Sequence, residues 1–329
     1  MSLDMIKHYP VMLNEVLSFI SDNKTIVDCT FGGGGYSSSI LKKFEKSNVI
    51  GLDRDKNILE YALKLKKNHT ERFNFHNIKF SQIHQLEHFN NSDFFIFDLG
   101  LSNFQLKNMK RGFSFESNST LDMTMGLNSF NAHDLIKNVS EKDLKNILKL
   151  FGEEKFASQI SKKIVQNRND KHNLSGKDLS DLISSVKFKR KKINPATKSF
   201  QAIRMIVNQE LSEIYKALNY IINNCKQGAV IIIVTFHSLE DILVKRIFNF
   251  YGKKKSLSRY IPKKNEKDNT SIHLLTNKAI KPSEIEIKQN PNSRSAKLRV
   301  IKKIKNPNIK INREDLNMEK YFLLEEMYV

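Results

Sequence analysis

At 329 residues, 40% apolar and 27% charged, the chain has the size and balance of one large globular domain or two modest ones. Its most apolar strip, Ala229-Val230-Ile231-Ile232-Ile233-Val234, has six residues against the roughly 20 of a membrane span. Met1-Ser2-Leu3-Asp4 lacks the basic start and apolar stretch of a secretory leader, so the expectation is a soluble, cytoplasmic chain with no membrane association. The formal net charge of +20 instead favours a polyanionic partner such as nucleic acid.

In chain order, a helical pattern over residues 16–20 precedes an apolar strand at 25–29. That strand enters Thr30-Phe31-Gly32-Gly33-Gly34-Gly35-Tyr36-Ser37, where the pattern turns helical. A second strand, 49–53, ends in Asp53, eighteen residues after Gly35. Glycines allow a tight turn and close ligand approach, the helix start offers N–H groups, and the acid on the next strand can grip a ribose diol. This points to an adenosine-containing ligand. Further strands fall at 73–80 and 94–99. Alternation of strand and helix predicts a parallel, doubly wound sheet. From about residue 108 to 199 no strong strand candidate occurs, and amphipathic helices at 141–150 and 153–167 suggest a mainly helical insertion. The sheet pattern resumes with a long helix over 200–224, a strand at 229–236, a helix at 238–250 and a last strand at 296–304. Residues 253–291 read as an exposed, partly flexible segment.

Charge is uneven along this order. Between Lys253 and Lys320 stand nineteen Lys or Arg against seven Asp or Glu, which puts +12 of the +20 there. Lys187-Phe188-Lys189-Arg190-Lys191-Lys192 adds five cations in six positions, a second cluster of the kind that favours a polyanion. Cys29 and Cys225 lie in or beside apolar segments and read as buried, reduced thiols, with no metal-ligand spacing.

The glycine turn alone fits either a nicotinamide dinucleotide or S-adenosylmethionine. The dinucleotide fingerprint wants a third Gly or Ala where Ser37 or Ser38 stands. Asp98, at the end of the fourth strand and followed by Leu99-Gly100-Leu101-Ser102-Asn103, lies where open α/β sheets bind ligands. An acid there could accept from the amine of a base, whose nitrogen lone pair is delocalised into the ring, or could hold only the cofactor.

These residues belong to a longer series. Asp98 to Leu106, Arg111-Gly112-Phe113-Ser114-Phe115, Leu121-Asp122-Met123, His8-Tyr9-Pro10-Val11-Met12-Leu13 and the glycine turn closely resemble the 16S rRNA cytosine-N4 methyltransferases. So do Leu150-Phe151-Gly152-Glu153-Glu154, Pro195-Ala196-Thr197-Lys198-Ser199-Phe200-Gln201-Ala202, Phe236-His237-Ser238-Leu239-Glu240-Asp241 and Asn290-Pro291. The resemblance implies a Rossmann-like class I S-adenosylmethionine-dependent methyltransferase sheet, in two parts at 1–107 and 200–329, with a helical, substrate-recognising insertion at 108–199. It implies methyl transfer to N4 of a cytidine in the decoding centre of 16S rRNA, the position numbered 1402 there, with the small ribosomal subunit as partner. Cofactor contacts would fall on Gly34, Gly35, Tyr36, Asp53, Phe80, Asp98 and Gln105. Asp98 and His237 are candidates for the chemistry, with loop fixing the alternative for His237. Asn103, Arg111, Phe113 and Arg204 are candidates for RNA contacts, with salt bridging or core packing equally open. No metal is implied, and whether the chain forms a homodimer stays open.

The chain departs from that family pattern at Tyr36 (usually His), Asn103 (Ser), Phe104 (Pro), Thr124 and Ile242 (both Arg) and Asn194 (His). Because Asp53, Asp98, Gln105 and His237 remain, an active enzyme is expected. A nicotinamide-dependent oxidoreductase and a non-catalytic RNA-binding assembly protein are the alternatives.

Overall fold

A computed structural model describes residues 10–128, 130–168, 174–187, 194–252 and 270–328. They fall into two compact units, one of residues 1–100 and 213–316, the other of 101–212 and 317–329.

The first unit is built on a seven-stranded sheet of order β3-β2-β1-β4-β5-β7-β6. The strands are β1 (Thr25–Asp28), β2 (Asn48–Leu52), β3 (Phe73–His76), β4 (Phe94–Asp98), β5 (Val230–Thr235), β6 (Ile272–Leu274) and β7 (Lys297–Lys303). β1 to β5 are parallel, whereas β7 runs antiparallel to both β5 and β6. The expected all-parallel sheet is therefore a mixed one, the α/β Rossmann-like methyltransferase fold. β5 is buried at every position, as its Val-Ile-Ile-Ile-Val run requires of a central strand. Each such side chain contributes about 1.5–3 kcal/mol of burial.

Two expectations for this unit need correction. β3 stops at His76, and Phe80 opens a 3-10 turn, Phe80–Gln85, instead of ending the strand. Within 253–291, residues 270–291 are ordered into β6 and the helix Glu284–Gln289, while 253–269 lie outside the described residues.

The second unit is helical, with Ala132–Asn138, Glu141–Phe151, Ala157–Asn167, Gly176–Ser184 and Thr197–Asn208 as its main helices. It is larger than the expected 108–199. Thr197–Asn208 packs on Glu141–Phe151, and the C-terminal helix Glu319–Glu326 does so too, with Tyr321 edge-on to Phe151 at 5.4 Å. The expected helix over 200–224 is two helices, Thr197–Asn208 and Glu210–Asn224, parted by Gln209 at φ 50°. Glu325, wholly buried, accepts from the N–H groups of Leu211 (3.0 Å) and Ser212 (2.8 Å) that the break exposes.

Candidate active site

In the first unit, the carboxyl ends of β1, β2, β4 and β5 converge on the glycine turn. Gly34 has φ 76°, and a Cβ there would stand 2.8 Å from Cζ of Phe31. A Cβ on Gly51 of β2 would meet the same ring at 2.8 Å. The two glycines thus make the space that Phe31 fills against Phe73 and Phe75. Among the described residues nothing lies within 4 Å of where a Cβ on Gly33 would be, so they leave the outer side of the turn open to a ligand. Gly35 begins the helix Gly35–Lys43, whose first N–H groups border that opening.

Tyr36 points inward. Its buried hydroxyl donates to the carbonyl of Val11, and the N–H of Met12 donates to Oε1 of Glu286 at 2.6 Å. Tyr36 therefore pins the N-terminal segment with its side chain. Burial, with the charges of Asp98 and Asp28, pushes that hydroxyl well above the usual tyrosine range.

Asp53 sits beneath the turn. Oδ2 accepts from the N–H of Gly32 at 2.7 Å and Oδ1 from that of Asp55 at 2.8 Å. Burial nevertheless pushes its carboxyl up to about 6. Phe80 packs edge-on to Phe97 at 5.5 Å and remains half-buried. Beside it, Lys79 Nζ lies 3.9 Å from Glu213, and burial lowers its pKa.

Asp98 closes β4. Its N–H donates to Thr30 Oγ1 at 2.7 Å, which ties the strand end to the glycine turn. Its Oδ1 is buried, and no described protein group hydrogen-bonds to it. Burial first, then the charges of Asp28 and Glu240, hold this carboxyl well above the usual carboxylate range. Asp28 was not singled out from the sequence, although an acid inside Ile26-Val27-Asp28-Cys29 is a visible anomaly. It is fully buried, accepts from Ser37 Oγ at 2.7 Å and from the N–H of Thr30 at 3.4 Å, and is pushed up to about 6 by burial. The turn therefore rests on buried acids.

His237 follows β5, and its Nε2 lies 2.9 Å from Oε1 of the buried Glu240. Asp241, next in the helix Ser238–Gly252, pairs with Lys297 (2.9 Å) and Arg299 (2.7 Å) of β7. Part of the C-terminal basic excess thus serves the fold itself.

The remaining expected residues belong to the second unit. Gln105 is a buried capping residue: its Oε1 accepts from the N–H of Ser102 (3.1 Å) and its N–H donates to Ser102 Oγ (3.2 Å). Nothing is described of the Asn103 side chain. Arg111 is buried, donates from Nη2 to the carbonyl of Thr124 at 2.6 Å and lies 5.6 Å from the ring of Phe113, itself buried. Arg204 makes a bidentate pair with Glu210 at 2.7 and 2.8 Å. Lys187 is paired with Glu154 at 2.7 Å, and residues 188–192 of that basic cluster lie outside the described residues. Sequence reasoning also missed Asn208, which is fully buried. It accepts from the N–H of Met125 (2.7 Å) and donates to the carbonyls of Met123 (2.8 Å) and Arg204 (2.9 Å). It thereby clamps a loop in which Met123 and Leu127 have φ 55° and 52°.

Comparison with known proteins gives concordant matches. The model of the MraW methylase family matches residues 5–304. The ribosomal RNA small subunit methyltransferase H of Rickettsia akari is 39% identical over 302 residues, covering 90% of this chain and 98% of that one. Its counterpart from Persephonella marina is 41% identical over 309 residues, covering 91% and 100%. Among solved structures, an rRNA methylase from Streptococcus thermophilus aligns over 89% of this chain and 95% of its own, at 9% identity and a TM-score of 0.40.

Proposed function

The chain belongs to the MraW methylase family, whose members are S-adenosylmethionine-dependent methyltransferases, and from that premise we propose that it methylates N4 of a cytidine in 16S rRNA of the small ribosomal subunit. The observation that carries the reading is Asp98: a carboxyl at the end of β4, with a buried oxygen to which no described protein group bonds, beside a glycine turn open to a ligand. Gly34, Gly35 and the first N–H groups of Gly35–Lys43 would hold the methionine carboxylate. Asp53 would accept from the ribose hydroxyls, and Phe80 would pack on the adenine. Gln105, Arg111, Phe113 and Arg204 would act through the shape of the second unit, given their internal contacts.

When bound, S-adenosylmethionine supplies a methyl group made electrophilic by its sulfonium. The residues of the chain address the other reactant. The N4 lone pair of cytosine is conjugated with the ring, so N4 is a weak nucleophile. Asp98, as carboxylate, accepts from an N4–H, which raises electron density on nitrogen and fixes its direction. The N–C bond to N4 would form as the methyl–sulfur bond breaks and leaves the neutral thioether; N4 would then be cationic and shed one proton, for which Asp98 would be the acceptor. A carboxyl held above the usual range suits that task better than an ordinary one.

The test is incubation of the full chain with labelled donor and small subunits lacking the mark, followed by mapping of the labelled nucleoside. N4-methylcytidine is expected, with at least about a hundredfold loss of turnover in Asp98→Asn and retained affinity for the uncharged product S-adenosylhomocysteine. Label on a ring carbon, on another base or on protein would refute the reading.

A further inference from the structure

Beyond β5 the chain turns through Phe236 and His237 into the helix Ser238–Gly252, and one buried residue organises that turn. Glu240, 1% exposed, accepts at Oε2 from the N–H of Phe236 (2.9 Å) and more weakly from that of His237 (3.4 Å). Its own N–H donates to Nδ1 of His237 at 3.4 Å, and its Oε1 lies 2.9 Å from the Nε2 of that ring, an ion-pair distance at an angle short of hydrogen-bond geometry. An Nδ1 that accepts carries no proton, so the neutral imidazole has its proton on Nε2, against the carboxylate. The turn also borders Asp98. β4 and β5 pair Asp98 with Val234, the N–H of Leu99 donates to the carbonyl of Val234 at 3.0 Å, and a Cβ on Gly100 would meet the Phe236 ring at 3.7 Å.

We propose that Glu240 is a positioning residue for methyl transfer: it locks the His237 ring as the Nε2–H tautomer and holds the turn of Phe236 and His237 as a wall beside Asp98. The proposal rests on the methyltransferase reading above and assigns proton removal to Asp98, since both His237 nitrogens lie within 3.4 Å of Glu240 atoms. It also separates Glu240 from an ordinary helix cap. In Glu240→Gln the single carbonyl oxygen can still serve the Phe236 N–H. The amide NH2 then faces the protonated Nε2, donor against donor, so the cap survives while the ring arrangement cannot.

Three measurements on the full chain decide it. Nitrogen-15 spectra of histidine-labelled protein should show an Nε2–H ring that disappears in His237→Gln and is altered in Glu240→Gln. With unmarked small subunits, Glu240→Gln should melt close to wild type and keep wild-type affinity for S-adenosylhomocysteine. Its kcat should fall at least about tenfold, with KM for the subunit unchanged. His237→Gln should lose a similar factor and the double variant no more, because one residue acts through the other. An Nδ1–H ring in the wild type, wild-type kcat in Glu240→Gln, or multiplicative losses in the double variant would each overturn the proposal. If Glu240→Gln does not fold, the wild-type spectrum and His237→Gln still decide, since an Nδ1–H ring or wild-type kcat in His237→Gln overturns it. Failure of the wild type to label cytosine N4 would instead refute the substrate reading, and the spectra would still report on the ring.

Discussion

Lowering the pH from 7 to 5 is expected to weaken donor binding about tenfold, with Asp53 as the cause. Its carboxyl is pushed up to about 6 by burial, although two backbone N–H groups, 2.7 and 2.8 Å away, favour the ionised form. In the proposed complex, ribose hydroxyls would donate to it, and a protonated carboxyl has lost one acceptor, so bound ligand would hold Asp53 ionised. For an acid whose pKa is higher in the free protein than in the complex, affinity is full above the free value and declines as pH falls through it. With a free value near 6, the ligand-free protein is roughly 10% protonated at pH 7 and 90% at pH 5. The apparent Kd therefore rises about tenfold, ~1.4 kcal/mol. Titration calorimetry with S-adenosylhomocysteine at pH 5, 6 and 7 measures this directly. Asp53→Asn should bind more weakly at pH 7 but with little slope, whereas Asp28→Asn, which removes the other acid near 6, should keep the slope. A wild-type Kd constant over this range, or a full slope in Asp53→Asn, would refute the reasoning.

Two further outcomes test the geometry of each unit. Gly34→Ala combines a φ of 76° with a Cβ 2.8 Å from the Phe31 ring, and should cost about 1–3 kcal/mol of stability and most of the cofactor affinity, as read by thermal melting and calorimetry. Arg204→Ala leaves Glu210 without its bidentate partner in a site only 8–14% exposed, for a loss of about 2–4 kcal/mol. The salt dependence of rRNA binding should not change, whereas a lost phosphate contact would lower the slope by about one ion.

What could be read from the sequence divides along physical lines. β1, β2, β4 and β5 announce themselves because buried parallel strands must be continuous apolar runs, and the glycine turn does so because few other sequences tolerate its backbone. β6 escapes notice: it has three residues, with only Ile272 and Leu274 apolar, in a lysine-rich stretch. The break at Gln209 carries no Gly or Pro. The N–H groups it exposes are satisfied by Glu325, more than a hundred residues later, a pairing that no local pattern encodes. The same holds for Arg204 and Arg111. As isolated cations in an RNA-like context they suggest phosphate contacts, yet their partners, Glu210 and the carbonyl of Thr124, emerge only once the chain has folded. Asn208 is the converse case, a polar residue on an apolar helix face that makes sense only with the loop it holds.

The buried acids around the turn explain why a chain of net charge +20 keeps an anionic pocket. Burying Asp28 and Asp98 next to one another is unfavourable in the ligand-free protein, and burial together with their mutual repulsion holds the Asp98 carboxyl well above the usual carboxylate range there. In the proposed reaction, a cationic donor on the turn would supply the missing opposite charge, so Asp98 would ionise when that donor binds and become the carboxylate that a cytosine amine requires. Methyl transfer to N4, as proposed, would remove the positive charge of the donor at the moment when N4 must lose a proton. Asp98 can then return to its neutral form by accepting that proton, leaving a pocket with no new uncompensated charge on either side of the reaction. The proton inventory should follow. Calorimetry in buffers of different ionisation enthalpy should show release of a proton on donor binding at pH 7, larger for the sulfonium donor than for its thioether product and absent in Asp98→Asn. Equal release with both ligands would mean that the sulfonium charge does not reach Asp98, and the electrostatic coupling between donor and base would have to be abandoned.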